Sequence, residues 1–160
     1  MYKRQLTPEQ ALQKLKQYCA YQERCHQEVK EKLYELGVWK NEHDTIIANL
    51  IEENHLNEER FAIAYAGGKF RIKQWGRIRI RLQLKQRGIS EYIIKKALKQ
   101  IEEETYQKVL DKLAYERYRS LHGEQYLVRR KKTIDYLLQK GYETDLANSS
   151  LSKLISGTEN

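Results

Sequence analysis

One helix ending is written three times in this chain. Leu33-Tyr34-Glu35-Leu36-Gly37-Val38, Leu84-Lys85-Gln86-Arg87-Gly88-Ile89 and Leu137-Leu138-Gln139-Lys140-Gly141-Tyr142 each set a leucine four residues ahead of a glycine and a large apolar residue directly after it. A glycine there fits a left-handed C-terminal cap, where a Cβ is strained, and the next apolar side chain can pack back on the last turn. The glycines stand 51 and 53 residues apart. That is about the length of a three-helix unit, so the spacing predicts a tandem array of supersecondary modules. The expected fold is all-α: three three-helix repeats over 1–56, 57–102 and 103–160, the last with a short C-terminal tail, stacked into an elongated, curved array.

Local signals agree with this division. The only proline is Pro8, so nothing interrupts helices beyond it. Thr7-Pro8-Glu9-Gln10 reads as a helix start with Thr7 as N-cap and Gln10 closing a capping box, followed by a core stripe of Ala11, Leu12, Leu15, Tyr18 and Cys19. Working outward from each glycine predicts helices over 8–21, 25–36 and 41–54, then 57–73, 76–87 and 91–102, then 104–120, 124–140 and 144–155. Asn57 and Ser90 are expected N-caps. Phe61, Tyr65, Gly68 and Ile72 fall on one stripe, and Ile93, Ile94, Ala97, Leu98 and Ile101 form the core face of the following amphipathic helix. Between them, Ile80 with Leu84 and Ile78 with Leu82 lie on nearly opposite sides of one helix. Such a helix is expected to be sandwiched between neighbours.

Charge is concentrated in the middle repeat. Residues 57–101 carry 12 Lys/Arg and 3 Asp/Glu, whereas residues 1–56 sum to −1 and residues 102–160 to zero, within a net charge of +8. A block of one sign points to a polyanionic partner, either nucleic acid or an assembly wound around it.

Other chemistries lack their residues. Gly68-Lys69 is followed by Phe70 and the first glycine of a phosphate loop would fall at Ile63, which excludes that motif. His26, His43, His55 and His122 have no metal-ligand spacing and read as surface residues. Acidic pairs such as Glu58-Glu59 sit at helix starts, where the helix dipole accounts for them. Cys19 and Cys25 are too few for a disulfide framework or a zinc site, the longest apolar stretch falls far short of a membrane span, and the N-terminus has no export signal. The expected protein is a cytoplasmic monomer with no catalytic residues, cofactor or metal.

The residues resemble those of the RecX regulatory proteins. The likeness is clearest in Leu56-Asn57-Glu58-Glu59-Arg60-Phe61-Ala62, in Trp75-Gly76-Arg77-Ile78-Arg79-Ile80-Arg81-Leu82 and in Lys85-Gln86-Arg87-Gly88-Ile89-Ser90. Glu28-Val29-Lys30-Glu31-Lys32-Leu33 resembles the first repeat of that family and Leu137 to Tyr142 its third. The chain departs from the pattern at Cys25, where the family usually has Ser or Thr and where cysteine is a poor N-cap. The resemblance implies a non-enzymatic regulator that lodges in a RecA-type recombinase filament on DNA, lowers its ATPase and strand-exchange activity, and binds DNA itself weakly and without sequence preference. Candidate contact residues are Lys69, Arg71, Lys73, Arg77, Arg81, Lys85 and Arg87 in the middle repeat, and Arg129, Arg130, Lys131 and Lys132 in the last. Arginine and lysine there suit phosphates or carboxylates. Tyr65, Phe70 and Trp75 could stack on bases, although Tyr65 shares the Phe61 stripe and core packing suits all three. The alternative reading is a helix-turn-helix transcriptional regulator, with Leu82 to Ile101 as helix, turn and Ser-capped helix. Against it, the would-be recognition helix opens on Glu91 and Tyr92, poor readers of base edges.

Overall fold

The three predicted glycine turns all adopt the left-handed backbone: φ is +74° at Gly37, +80° at Gly88 and +104° at Gly141. Each closes its helix with the same two bonds. The amides of Val38, Ile89 and Tyr142 donate to the carbonyls of Leu33, Leu84 and Leu137 at 3.0, 3.1 and 3.1 Å, and the glycine amides donate to Tyr34, Lys85 and Leu138. This is the Schellman arrangement, and its apolar contact is present each time: the three leucines and Tyr142 are fully buried, and Val38 and Ile89 nearly so. Asn54 ends another helix in the same way at φ +62°.

The computed structural model describes residues 6–158 and is all-helical over them, a tandem-repeat fold. Its helices are α1 Pro8–Tyr21, α2 His26–Glu35, α3 Lys40–Glu52, α4 Glu58–Gly68 with a π-helical turn Lys69–Lys73, α5 Arg77–Gln86, α6 Glu91–Lys99, α7 Glu103–Ser120, α8 Tyr126–Lys140 and α9 Thr144–Thr158. The predicted caps form. Thr7 and Gln10 exchange bonds at 3.2 and 3.0 Å, Asn57 Oδ1 accepts from the Arg60 amide at 3.0 Å, and Ser90 Oγ accepts from the Ile93 amide at 3.3 Å. At Cys25 the helix still starts, because Glu28 accepts from the Cys25 amide at 3.2 Å and from its thiol at 3.3 Å. The Glu28 carboxylate is the reciprocal half of a capping box, occupying the N-cap amide.

The residues fall into two compact units that do not follow the repeat spacing. The first holds residues 6–65 together with Leu84–Lys96. In it α1, α2 and α3 pack on one another around Ala11, Leu15, Val29, Leu33, Ile46, Ile47 and Leu50. His43, expected at the surface, is buried there, its ring bonded to the Val38 carbonyl at 2.9 Å and set edge-on to Tyr34. The Val38 turn leaves that carbonyl inside, and an imidazole satisfies it. Cys19 and Cys25 are buried free thiols in the same unit, and burial pushes both above the ordinary thiol range.

The second unit holds Ala66–Gln83 and residues 97–158. Here α7, α8 and α9 pack on one another around Leu110, Leu113, Ala114, Leu137, Ala147 and Leu151. Tyr106 and Tyr142, both fully buried, pack ring to ring at 5.2 Å. No helix of the described residues is long and apolar enough to cross a membrane.

Candidate partner-binding surface

The basic segment is displayed by a break in helical regularity. After Gly68 the backbone widens into the π-helical turn and leaves it through Gln74 in the left-handed region, φ 57° and ψ 36°. Third-repeat side chains hold this turn: Lys140 Nζ donates to the Lys73 carbonyl and the Tyr142 hydroxyl to the Gln74 carbonyl, both at 2.9 Å. Phe70 is buried with its ring 5.8 Å from that of Tyr106. Two residues further on, roughly half a turn around the helix, Ile72 points the other way and is 80% exposed. The expected stripe through Gly68 and Ile72 is therefore corrected: the buried row runs Ala62, Ala66, Phe70.

The start of α5 is anchored by backbone. The Gly76 amide donates to the Lys140 carbonyl at 2.8 Å and the Ile78 amide to the Gly141 carbonyl at 2.9 Å. Between them the Arg77 amide donates to the Tyr106 hydroxyl at 3.1 Å. The orphan donors of one helix start thus meet the orphan acceptors of the α8 end.

Arg77 belongs to this anchor. Its guanidinium lies 3.9 Å over the Tyr106 ring and bonds Glu103 at 2.6 Å and Glu143 at 2.7 Å. The Tyr106 hydroxyl donates to the other oxygen of Glu143. Burial works against the Arg77 charge, but the two carboxylates outweigh it and hold the group above its ordinary value. Burial, followed by the Glu143 bond, keeps the Tyr106 phenol protonated far beyond its usual range. Arg77 was expected at the contact surface, and the structure spends its charge inside the unit.

Along α5, Ile80 and Leu84 are fully buried, while Ile78 and Leu82 are 43% and 54% exposed. The expected sandwiched helix is corrected: one stripe is core and the other faces solvent. Arg71 and Lys73 are exposed beside Ile72. The Trp75 ring is half-buried, with Arg79 4.2 Å and Lys69 5.1 Å from its centroid. Cation–ring contacts of this kind contribute about 0.5–1 kcal/mol each at exposed sites. Arg81 is half-buried and has a partner of its own. In the first unit Lys85 is exposed, whereas Arg87 lies 5.0 Å over the Tyr65 ring and 4.0 Å from Glu28. Phe61 packs tilted against Tyr65, ring centres 5.7 Å apart.

The cationic run on α8 is distributed around a helical turn. Arg129 packs 3.5 Å over the Tyr118 ring and donates to the Tyr118 carbonyl at 2.7 Å. Arg130 donates to Tyr126, Lys131 pairs with Asp135 at 2.8 Å, and Lys132 pairs with Glu124 at 2.7 Å. Each of these four charges already has a neighbour in the protein.

From Arg60 to Ser90 the chain contains no Asp or Glu, so the cations on Lys69–Leu82 have no carboxylate close to them in sequence. Exposed Ile72, Ile78 and Leu82 stand among them. The sequence signal for Ile78 and Leu82 was present in the two opposed stripes of α5, since only one stripe of such a short helix needs a core.

Similarity to known proteins follows the same segments. Residues 57–98 match the family described as RecX, second three-helix domain, and residues 103–151 that described as RecX, third three-helix domain. The chain is 35% identical over 135 residues to the regulatory protein RecX of Clostridium perfringens, covering 81% of this chain and 61% of that protein. It is 28% identical over 137 residues to that of Bacillus cytotoxicus, covering 86% and 51%. The crystal structure of RecX from Lactobacillus salivarius has the same fold, with a TM-score of 0.83 at 24% identity over 92% of this chain and 96% of that one. The three-helix domains and the shared fold place the chain in a class of all-helical tandem-repeat proteins. The chain belongs to the RecX family, and it spans about half to three-fifths of the length of the curated relatives it matches.

Proposed function

We propose that this protein is a non-enzymatic regulator that binds a RecA-type recombinase filament on DNA and restrains its ATPase and strand-exchange activity. The carrying observation is the acid-free run Arg60 to Ser90, which in the second unit displays Arg71 and Lys73 at the surface in a chain of the RecX family. A recombinase filament joins nucleic acid to protein, so it offers both phosphates and carboxylates to such cations. Lys69, Arg81 and Arg87, each already held by a neighbour, contribute at the margin, and Arg129 to Lys132 contribute least. The repeat over 57–102 is the contact module, flanked by those over 1–56 and 103–160. The protein works as a monomer in the cytoplasm, and its own affinity for DNA is weak, salt-sensitive and sequence-independent.

The test is DNA-dependent ATP hydrolysis by the cognate recombinase with this protein in several-fold excess over filament subunits. Hydrolysis is expected to slow progressively with added protein. An unchanged rate across the titration would overturn the reading.

A further inference from the structure

We infer that the outer face of α5 grips protein rather than phosphate, and that its ligand is an acidic segment carrying two apolar side chains about one helical turn apart. This rests on the proposed function and names which component of a nucleoprotein filament the face engages.

Ile78 and Leu82 are four residues apart, about 40° around the helix, and Arg81 and Arg79 flank the pair by about 60° on either side. The result is an apolar ridge between cationic edges. Phosphates gain nothing from exposed isoleucine and leucine. A protein partner gains roughly 25 cal/mol per Å² of apolar surface removed from water. Apolar anchors ringed by polar groups are the usual plan of a protein interface, and anchors at i and i+4 are the spacing by which one helix reads another. Charge complementarity fixes the sign of the partner. The segment has no acid between Arg60 and Ser90, so a basic or neutral apolar helix would be repelled or unassisted, whereas an acidic one is drawn in. The same unit repeats this composition at Arg71-Ile72-Lys73, where an isoleucine 80% exposed stands between two exposed cations. Both ridges belong to segments whose opposite sides, Phe70 and Ile80, are buried, so their exposure is fixed by the fold.

The experiment compares the full chain with the double variant Ile78→Ser/Leu82→Ser. Affinity is measured for a recombinase filament on single-stranded DNA and, separately, for the same DNA alone. Both positions are solvent-facing, so the variant should keep its helicity and melting temperature. Filament affinity is expected to fall at least tenfold while affinity for naked DNA stays within twofold. Filament affinity within twofold of the parent overturns the inference and leaves the regulator reading standing. A parallel fall in DNA affinity also overturns it, because the face would then serve nucleic acid. Should the parent bind no filament, the regulator reading fails by itself, and methyl NMR of the full chain decides the inference. A glutamate-rich helical peptide with leucines at i and i+4 should shift the Ile78 and Leu82 methyl signals. Its Leu→Ser counterpart and an oligo-dT strand should not. Any other pattern overturns the assignment.

Discussion

Gly76 and Gly141 meet backbone to backbone: a methyl group on Gly76 would strike the Gly141 carbonyl, and one on Gly141 would strike Arg79. Each glycine is required by the other segment. The approach lets the first amides of α5 reach the last carbonyls of α8 at 2.8 and 2.9 Å.

Gly76→Ala should therefore destabilise the protein by roughly 2–3 kcal/mol, in the upper part of the range for forced overpacking. Gly88→Ala serves as the comparison. It has the left-handed φ of +80° but open space around its Cβ position, so it should cost only about 1–2 kcal/mol of backbone strain. Gly141→Ala combines strain with collision and should cost the most of the three. Urea unfolding midpoints of the three variants check the order, and equal losses would mean that the close approach carries no weight.

Removal of the Glu143 carboxylate should be costly for a different reason. In Glu143→Ala, Arg77 keeps only the exposed Glu103, and the buried Tyr106 hydroxyl loses its acceptor. Breaking a fully buried pair costs about 3–5 kcal/mol. Here both side chains retain a fifth to a quarter of their exposure, so roughly 2–3 kcal/mol is expected. Arg77→Lys should recover little, because one ammonium cannot replace two guanidinium arms aimed at two carboxylates. Thermal melts of both variants check this.

Much of the fold was legible because its signals are local. A Schellman turn needs only Leu, Gly and an apolar residue in fixed order, and Thr7, Asn57 and Ser90 cap helices through atoms three residues away. What escaped depends on partners distant in the chain. Arg77 looks like any surface cation until Glu143, 66 residues on, takes its charge. Ile72 leaves its stripe because Lys140 and Tyr142 bond the carbonyls that end the π-helical turn. His43 is drawn inside by a carbonyl that only the folded turn leaves unpaired. The candidate surface was thus partly legible: its cations and the opposed stripes of α5 stood in the sequence, whereas the solvent side taken by Ile78 and Leu82 and the loss of Arg77 to two carboxylates needed the fold.

The buried thiols set an alkaline limit on stability. Burial raises Cys19 and Cys25 above the ordinary thiol value, which is about 8.5 in an unfolded chain. Below that pH both states hold the proton and the full stabilisation is present. Above it the unfolded chain releases protons that the native state keeps, so stability falls as pH rises. Unfolding free energy should be level through pH 7–8 and decline from about pH 8.5, with a shallower decline in Cys25→Ala. Denaturant titrations at stepped pH check the slope, and a thiol reagent should label both cysteines only on unfolding.

Charge reversal should separate the two basic clusters. Arg71 and Lys73 are exposed on a turn with no acidic residue near them in sequence, whereas Lys131 and Lys132 are already paired with Asp135 and Glu124. Surface pairs of that kind contribute little to stability, yet they lower the gain from a new anionic partner, because the existing carboxylate must be displaced. Arg71→Glu/Lys73→Glu should weaken inhibition of recombinase ATPase by about tenfold or more. If these side chains neutralise phosphates, the slope of log affinity against log salt should fall by about one for each phosphate released. Lys131→Glu/Lys132→Glu should shift the inhibition curve by less than about threefold, a change of under 1 kcal/mol. The discriminating result is the ratio of the two shifts: equal losses would place the α8 run in the interface on the same footing as the turn, and a larger loss at Lys131 and Lys132 would move the contact surface to the third repeat.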